Sequence, residues 1–159
     1  MSPKRWKQPP RGVVDTSVLV AGVSGFRDNP SDNPSAALIA AWTDAPTFVW
    51  LLTEEILSEY TEVLERLGVR SARAIVALVR EQGQVVRVLK RIRDLPDRDD
   101  APFCECAESA DADFIVTLNP RDFPQRRLKA MVISPSDTLP PRRRQSRPRR
   151  KRLFIRKKK

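Results

Sequence analysis

The chain has 159 residues, 40% of them apolar, enough for one compact domain with a real core and too few for two ordinary ones. It has no histidine, which excludes histidine-based triads and histidine-ligated zinc. Its net charge is +10, yet residues 141–159 hold twelve Lys or Arg and residues 1–11 four more, with no acid in either, so the body over 12–140 stands at −6.

No apolar run reaches the roughly 18 residues that span a bilayer. The first eleven residues are basic and lack the apolar stretch of a secretory signal. The reading is a cytoplasmic protein. Cys104 and Cys106 lie two apart, where a helix points them to different faces, so they make a poor metal clip. Buried, reduced thiols are expected instead.

In chain order, residues 1–11 read as a flexible basic leader. An apolar run over 12–16 predicts a first strand ending at Asp15-Thr16. Gly22 to Pro34, rich in Gly, Asn, Asp, Ser and Pro, predicts a loop. Pro34–Ala45 predicts a helix capped by Asn33, and Phe48–Leu52 a second strand. Thr53–Leu67 predicts an amphipathic helix closed by Gly68, and Ser71–Gln82 another closed by Gly83. A third strand is expected over Val85–Leu89, a helix over Asp99–Ser109, a strand over Asp113–Leu118 and a short last strand over Met131–Ile133. Strands alternating with helices argue for an α/β protein with a mostly parallel sheet covered on both faces. Sites in such sheets form at the carboxyl ends of strands. From Pro140 the chain is low-complexity, basic and proline-containing, and is expected to be a disordered tail over 140–159.

Four places bring a carboxylate toward that end of the sheet. Asp15 closes the first strand, with the hydroxyls of Thr16 and Ser17 beside it; capping the next helix or turn is an equally good explanation for it alone. On the Thr53–Leu67 helix, Ile56, Leu57, Tyr60, Val63, Leu64 and Leu67 form the apolar stripe. A helical wheel puts Glu59 roughly 100° from the stripe's centre, and Glu54, Glu55, Glu62 and Glu65 about 120–160° away. Glu59 is thus the glutamate nearest the buried edge, and the others fit a solvated face. The cluster Asp94, Asp97, Asp99 and Asp100 suits the positive end of a helix, but Asp100 aligns with Phe103 and Ala107 on the inward face. An inward carboxylate needs partners or a metal. Asn119 and Asp122 follow the fourth strand, where Asp122 also serves as an ordinary turn residue. Carboxylates gathered together repel unless a cation neutralises them, and oxygen ligands without His or Cys favour Mg²⁺ or Mn²⁺.

These segments carry a resemblance. Val13-Val14-Asp15-Thr16-Ser17-Val18-Leu19 resembles the opening of the PIN-domain family, and Glu55 to Leu64 resembles its acidic helix. Leu95-Pro96-Asp97-Arg98-Asp99-Asp100-Ala101-Pro102-Phe103 is similar to its third acidic motif, and Ala112 to Phe123 to its last; Val132-Ile133-Ser134-Pro135 resembles the closing strand. The match runs in order over about residues 12–139 and is closest to the toxins of toxin–antitoxin pairs, relatives of VapC. It implies a three-layer α/β/α sandwich and a metal-dependent ribonuclease. Asp15, Glu59 and Asp100 carry over as its acids, with Asp15 and Asp100 on Mg²⁺ or Mn²⁺. Many relatives have Asp where Asn119 stands, and Asp122 is the compensating acid; Ser17 and Thr117 are supporting hydrogen-bond residues. RNA and a cognate antitoxin are the implied partners, and a homodimer is left open. Two rival classes remain: a PIN-like module that binds RNA or protein without cutting, motivated by Asn119, and a phospho-accepting receiver domain. The receiver ranks last, because only one Asp ends the first strand and no lysine follows a late strand.

Overall fold

The computed structural model describes residues 7–25 and 32–144. Five strands, β1 (Arg11–Val14), β2 (Val49–Leu52), β3 (Gln84–Val85), β4 (Phe114–Val116) and β5 (Met131–Ile133), form one sheet in the order β3-β2-β1-β4-β5. Every pairing is parallel, as the sequence alternation implied. Five helices complete the three-layer sandwich: α1 (Thr16–Gly25), α2 (Pro34–Asp44), α3 (Glu54–Arg66), α4 (Ala72–Gln82) and α5 (Ala101–Ser109). β1 lies centrally, with Gly12, Val13 and Val14 opposite Phe114, Ile115 and Val116 of β4. Chain connections run to opposite sides from β1, so the crevice beyond β1 and β4 is the topological switch point of the sheet.

The core explains these elements. Val13, Val14, Trp50, Leu51, Leu52, Ile115 and Val116 are fully buried, as strands covered on both faces require. Trp42, Trp50, Phe48 and Phe114 form a continuous aromatic run, with ring centroids 4.8 Å apart for Trp42–Trp50 and 5.3 Å for Phe48–Phe114. Gly12 makes room for it: a Cβ there would lie 2.1 Å from the Phe114 ring. α3 buries Ile56, Leu57, Tyr60 and Leu64, each worth roughly 1.5–3 kcal/mol of transfer free energy. Thr53 caps it by accepting from Ile56 N at 3.2 Å.

The structure corrects several boundaries. α1 replaces the end of the expected first strand and the start of the Gly22 loop. Gly22 is a packing residue there, since a Cβ would meet Ile39 Cδ1 of α2 at 2.4 Å. Residues 26–31 of that loop lie outside the described residues. Leu67 is not part of the buried stripe: α3 ends at Arg66, Gly68 follows at φ +76°, and Leu67 is 58% exposed. The third strand is two residues rather than five. After Val86 N donates to Leu52 O, the chain turns to α5, where Ser109 Oγ accepts from both Leu89 N and Lys90 N. β4 is confined to 114–116, although the backbones of Asp113 and Thr117 still bond to the neighbouring strands, Asp113 N to Arg11 O and Thr117 N to Ile133 O.

The terminal segments also differ. Arg11 belongs to β1, not to a leader. Residues 140–144 are not detached: the Asp113 side chain, fully buried, accepts from Arg11 N (2.7 Å) and Arg143 N (2.8 Å) and pairs with the Arg142 guanidinium at 3.4 Å. Arg143 reaches the carbonyls of Lys129 and Ala112. Residues 1–6 and 145–159 lie outside the described residues. Cys104 and Cys106 are both buried and unpaired, and burial pushes each thiol up to about 12.

Candidate active site

The site begins where β1 ends. Asp15 N donates to Val116 O at 2.9 Å, so the carboxyl ends of β1 and β4 are fastened together at this residue. Among the described residues, the Asp15 side chain is engaged by hydroxyls rather than by the first N–H groups of α1. Its Oδ2 accepts from Ser17 Oγ at 2.6 Å and from the buried Thr117 Oγ1 at 2.9 Å. Ser17 Oγ in turn accepts from Leu118 N (3.3 Å), and Thr117 Oγ1 from Asn119 N (3.1 Å). Two hydroxyls, themselves held by the β4 loop, thus fix one carboxylate oxygen.

α3 delivers Glu59. The buried Tyr60 hydroxyl donates to Val14 O, pinning the helix to β1 one residue before Asp15. Glu59 is half-buried, whereas Glu54, Glu55, Glu62 and Glu65 are exposed, as the helical wheel required. Its Oε2 accepts from Thr16 Oγ1 at 2.8 Å. Burial pushes the Glu59 carboxyl above its ordinary pKa, the Thr16 hydrogen bond opposes this, and Asp15, Asp99 and Glu62 add to the rise. Sequence reasoning noted the Thr16 hydroxyl beside Asp15 but gave it no role toward Glu59. Its position directly after Asp15, opening a helix, was the available signal.

Asp100 stands where a 3-10 turn over Arg98–Asp100 meets α5. It occupies the cap position of α5 but makes no side-chain cap bond. Asp97 caps the preceding 3-10 turn, accepting from Asp99 N at 2.9 Å. Burial first, then the charges of Asp15, Asp97, Asp122 and Asp99, push the Asp100 carboxyl from 3.8 up to about 6. Those neighbours place Asp15, Asp100 and Asp122 in one electrostatic cluster. Asp122 ends a 3-10 turn over Pro120–Asp122, is exposed, and donates its N to Asn119 O at 3.1 Å. Asn119 is also exposed, and only its backbone is engaged among the described residues.

Among the described residues, no three carboxylates or cysteines form a preassembled metal cage. The donor chemistry nevertheless fits a hard cation: oxygen ligands, and an acid whose ionised form its neighbours disfavour. Mg²⁺ is commonly held by one or two carboxylates and waters, which two aspartates satisfy.

The chain is thus an α/β protein with an all-parallel sheet and acidic residues beyond the carboxyl ends of its central strands, where sites of such sheets form. The chain belongs to the PIN domain family, whose sequence pattern matches residues 11–121. PIN domains are generally nucleases, hydrolases that typically use divalent metals. The match ends before β5 but includes Asp15, Glu59, Asp100 and Asn119; Asp122 lies one residue beyond it. A comparison with curated proteins gave no match. No helix among the described residues is long and apolar enough to cross a membrane.

Proposed function

We propose that this protein is a Mg²⁺- or Mn²⁺-dependent endoribonuclease that hydrolyses RNA phosphodiesters, and that it is the toxin of a toxin–antitoxin pair. The observation that carries the nuclease reading is the Asp15 carboxylate, held by Ser17 and Thr117 where the carboxyl ends of β1 and β4 are joined, in a chain of the PIN domain family. The toxin role and a cytoplasmic setting rest on the motif resemblance. A neighbouring reading frame encoding a small DNA-binding protein that relieves growth arrest would support the pairing.

Asp15 and Asp100 are the residues that hold the cation. When bound, it supplies Lewis acidity, making water a nucleophile near neutral pH and neutralising charge on the phosphoryl oxygens. Ser17 and Thr117 lock Asp15 through Oδ2, which fixes its orientation before substrate arrives. Glu59, raised in pKa and braced by Thr16, orients the attacking water and takes up its proton. Asp122 completes the acidic rim, and Asn119 contributes an amide where many relatives carry a charge.

Cleavage of pooled RNA in Mn²⁺ tests this. Wild type is expected to cut, and Asp15→Asn to lose at least about 100-fold, since even residues that merely orient metal ligands cost 10–100-fold. Equal cleavage by a purified Asp15→Asn protein would sink the assignment. The uncharged, exposed Asn119 favours one rival, a PIN-like module that binds RNA or a protein without cutting. Mn²⁺ binding with no cleavage by the wild type would select it.

A further inference from the structure

The two basic ends of the chain meet at the pole opposite the acidic site. Lys7–Pro10 leads into the first residue of β1, and 139–144 packs against the first residue before β4. Four residues of β1 at roughly 3.3 Å each separate this pole from Asp15 by about 13 Å. Between the two segments runs a groove of about 950 Å³ lined by Lys7, Arg142, Arg143 and Arg144, with no acid among the described residues of its walls. Pro9 and Pro10 on one side, and Pro140 and Pro141 on the other, hold the walls extended.

The groove is positive in excess of its own needs. Arg142 and Arg143 are occupied by Asp113, whose side chain is 0% exposed. Lys7 and Arg144 are exposed and make no ion pair among the described residues. Arg11, beside Arg142, keeps a buried Nε with no hydrogen-bond partner. The Arg142 and Arg143 guanidiniums share the single buried carboxylate of Asp113, which leaves net positive charge on the groove wall. Among the described residues, Leu139 is the only apolar side chain in the lining apart from the prolines, too little for the apolar centre of a stable protein interface. A polyanion that follows extended walls fits better, and single-stranded nucleic acid binds in such positive grooves.

We propose that this groove binds the sugar–phosphate backbone of single-stranded RNA at a site separate from the acidic pole, with Lys7 and Arg144 as the contacting cations. The choice of RNA rests on the nuclease reading. Nine further cations follow in the sequence over 147–159.

The test is anisotropy of a 2′-O-methyl RNA of about twelve nucleotides, a length within known site sizes, titrated with the full chain in EDTA over a range of salt. Cleavage then plays no part. Lys7→Ala/Arg144→Ala is expected to lower the slope of log K against log salt by roughly 1.4, about 0.7 for each phosphate contact on a single strand. Arg70→Ala/Arg87→Ala, which removes two exposed cations elsewhere, is the control and should change the slope much less. An unchanged slope in the groove variant, or an equal fall in the control, overturns the proposal. So does groove-dependent capture of polyglutamate without groove-dependent RNA binding, which would assign the surface to an acidic protein. Groove-dependent RNA binding by a protein that never cleaves would instead sink the catalytic reading and leave the groove standing.

Discussion

At the scale of single residues, Asp100 carries the clearest consequence. Its carboxyl has a pKa near 6 in the folded protein against 3.8 ordinarily, chiefly from burial and then from Asp15. The folded state therefore binds more protons than the unfolded state between those two values, and stability falls as pH rises through that window. Above about pH 6 the ionised Asp100 works against the fold unless a cation is present. Asp100→Asn in EDTA is expected to melt above wild type at pH 8, with the gap closing below pH 4. Adding Mg²⁺ at pH 8 should raise the wild-type midpoint, since an ion that binds only the folded state stabilises it, and should raise the variant's much less. A gap that is constant with pH would show that repulsion at Asp100 is not its source. Solvent screening at this half-buried site makes direction, rather than size, the useful readout.

At the scale of elements, the hydroxyl of Tyr60 joins α3 to β1 and so sets where Glu59 lies relative to Asp15. Tyr60→Phe keeps the buried ring and removes the hydroxyl that donates to Val14 O, at an expected cost of about 1 kcal/mol in urea unfolding. RNA cleavage should fall more than this modest loss explains, because the glutamate is no longer held against β1; unaltered cleavage would show that packing alone positions the helix. Glu59 was legible from the sequence because α3 has a clean 3.6-residue pattern, and burial followed it. Asp100 was legible for the same reason, through Phe103 and Ala107. α1 was not: Val18, Leu19, Val20 and Ala21 carry no polar face, so its run of ten residues shows little periodicity. Gly22 there signalled a loop, while its actual constraint is the approach of Ile39. β3 failed for a different reason. Its continuation has strand-like valines, but Ser109, twenty residues away, takes the Leu89 N–H, and no local pattern reports that.

At the scale of the molecule, the parallel sheet separates charge into two poles. Every strand starts at one edge and ends at the other, so an acid after β1 and an arginine opening β1 are forced to opposite ends. Lys7, Arg11 and Arg142 to Arg144, the described cations of the two ends, lie at the base, and Asp15 lies at the mouth. The Asp113 clamp was invisible beforehand, since it joins residues 29 and 30 positions apart with no motif between them. It is what turns the C-terminal segment into part of the fold. Asp113→Ala would strand the N–H groups of Arg11 and Arg143 and leave the partly buried Arg142 guanidinium unpaired. Removing one partner of a buried ion pair typically costs 3–5 kcal/mol; with Arg143 partly exposed, about 3 kcal/mol is expected. The urea midpoint should drop accordingly, and trypsin should cut after Arg142 faster than in wild type. A clamp that merely decorates the surface would leave both unchanged. If the midpoint falls while cleavage per folded molecule persists, the basic base stabilises the sheet without shaping the acidic mouth. That is the separation the parallel topology implies.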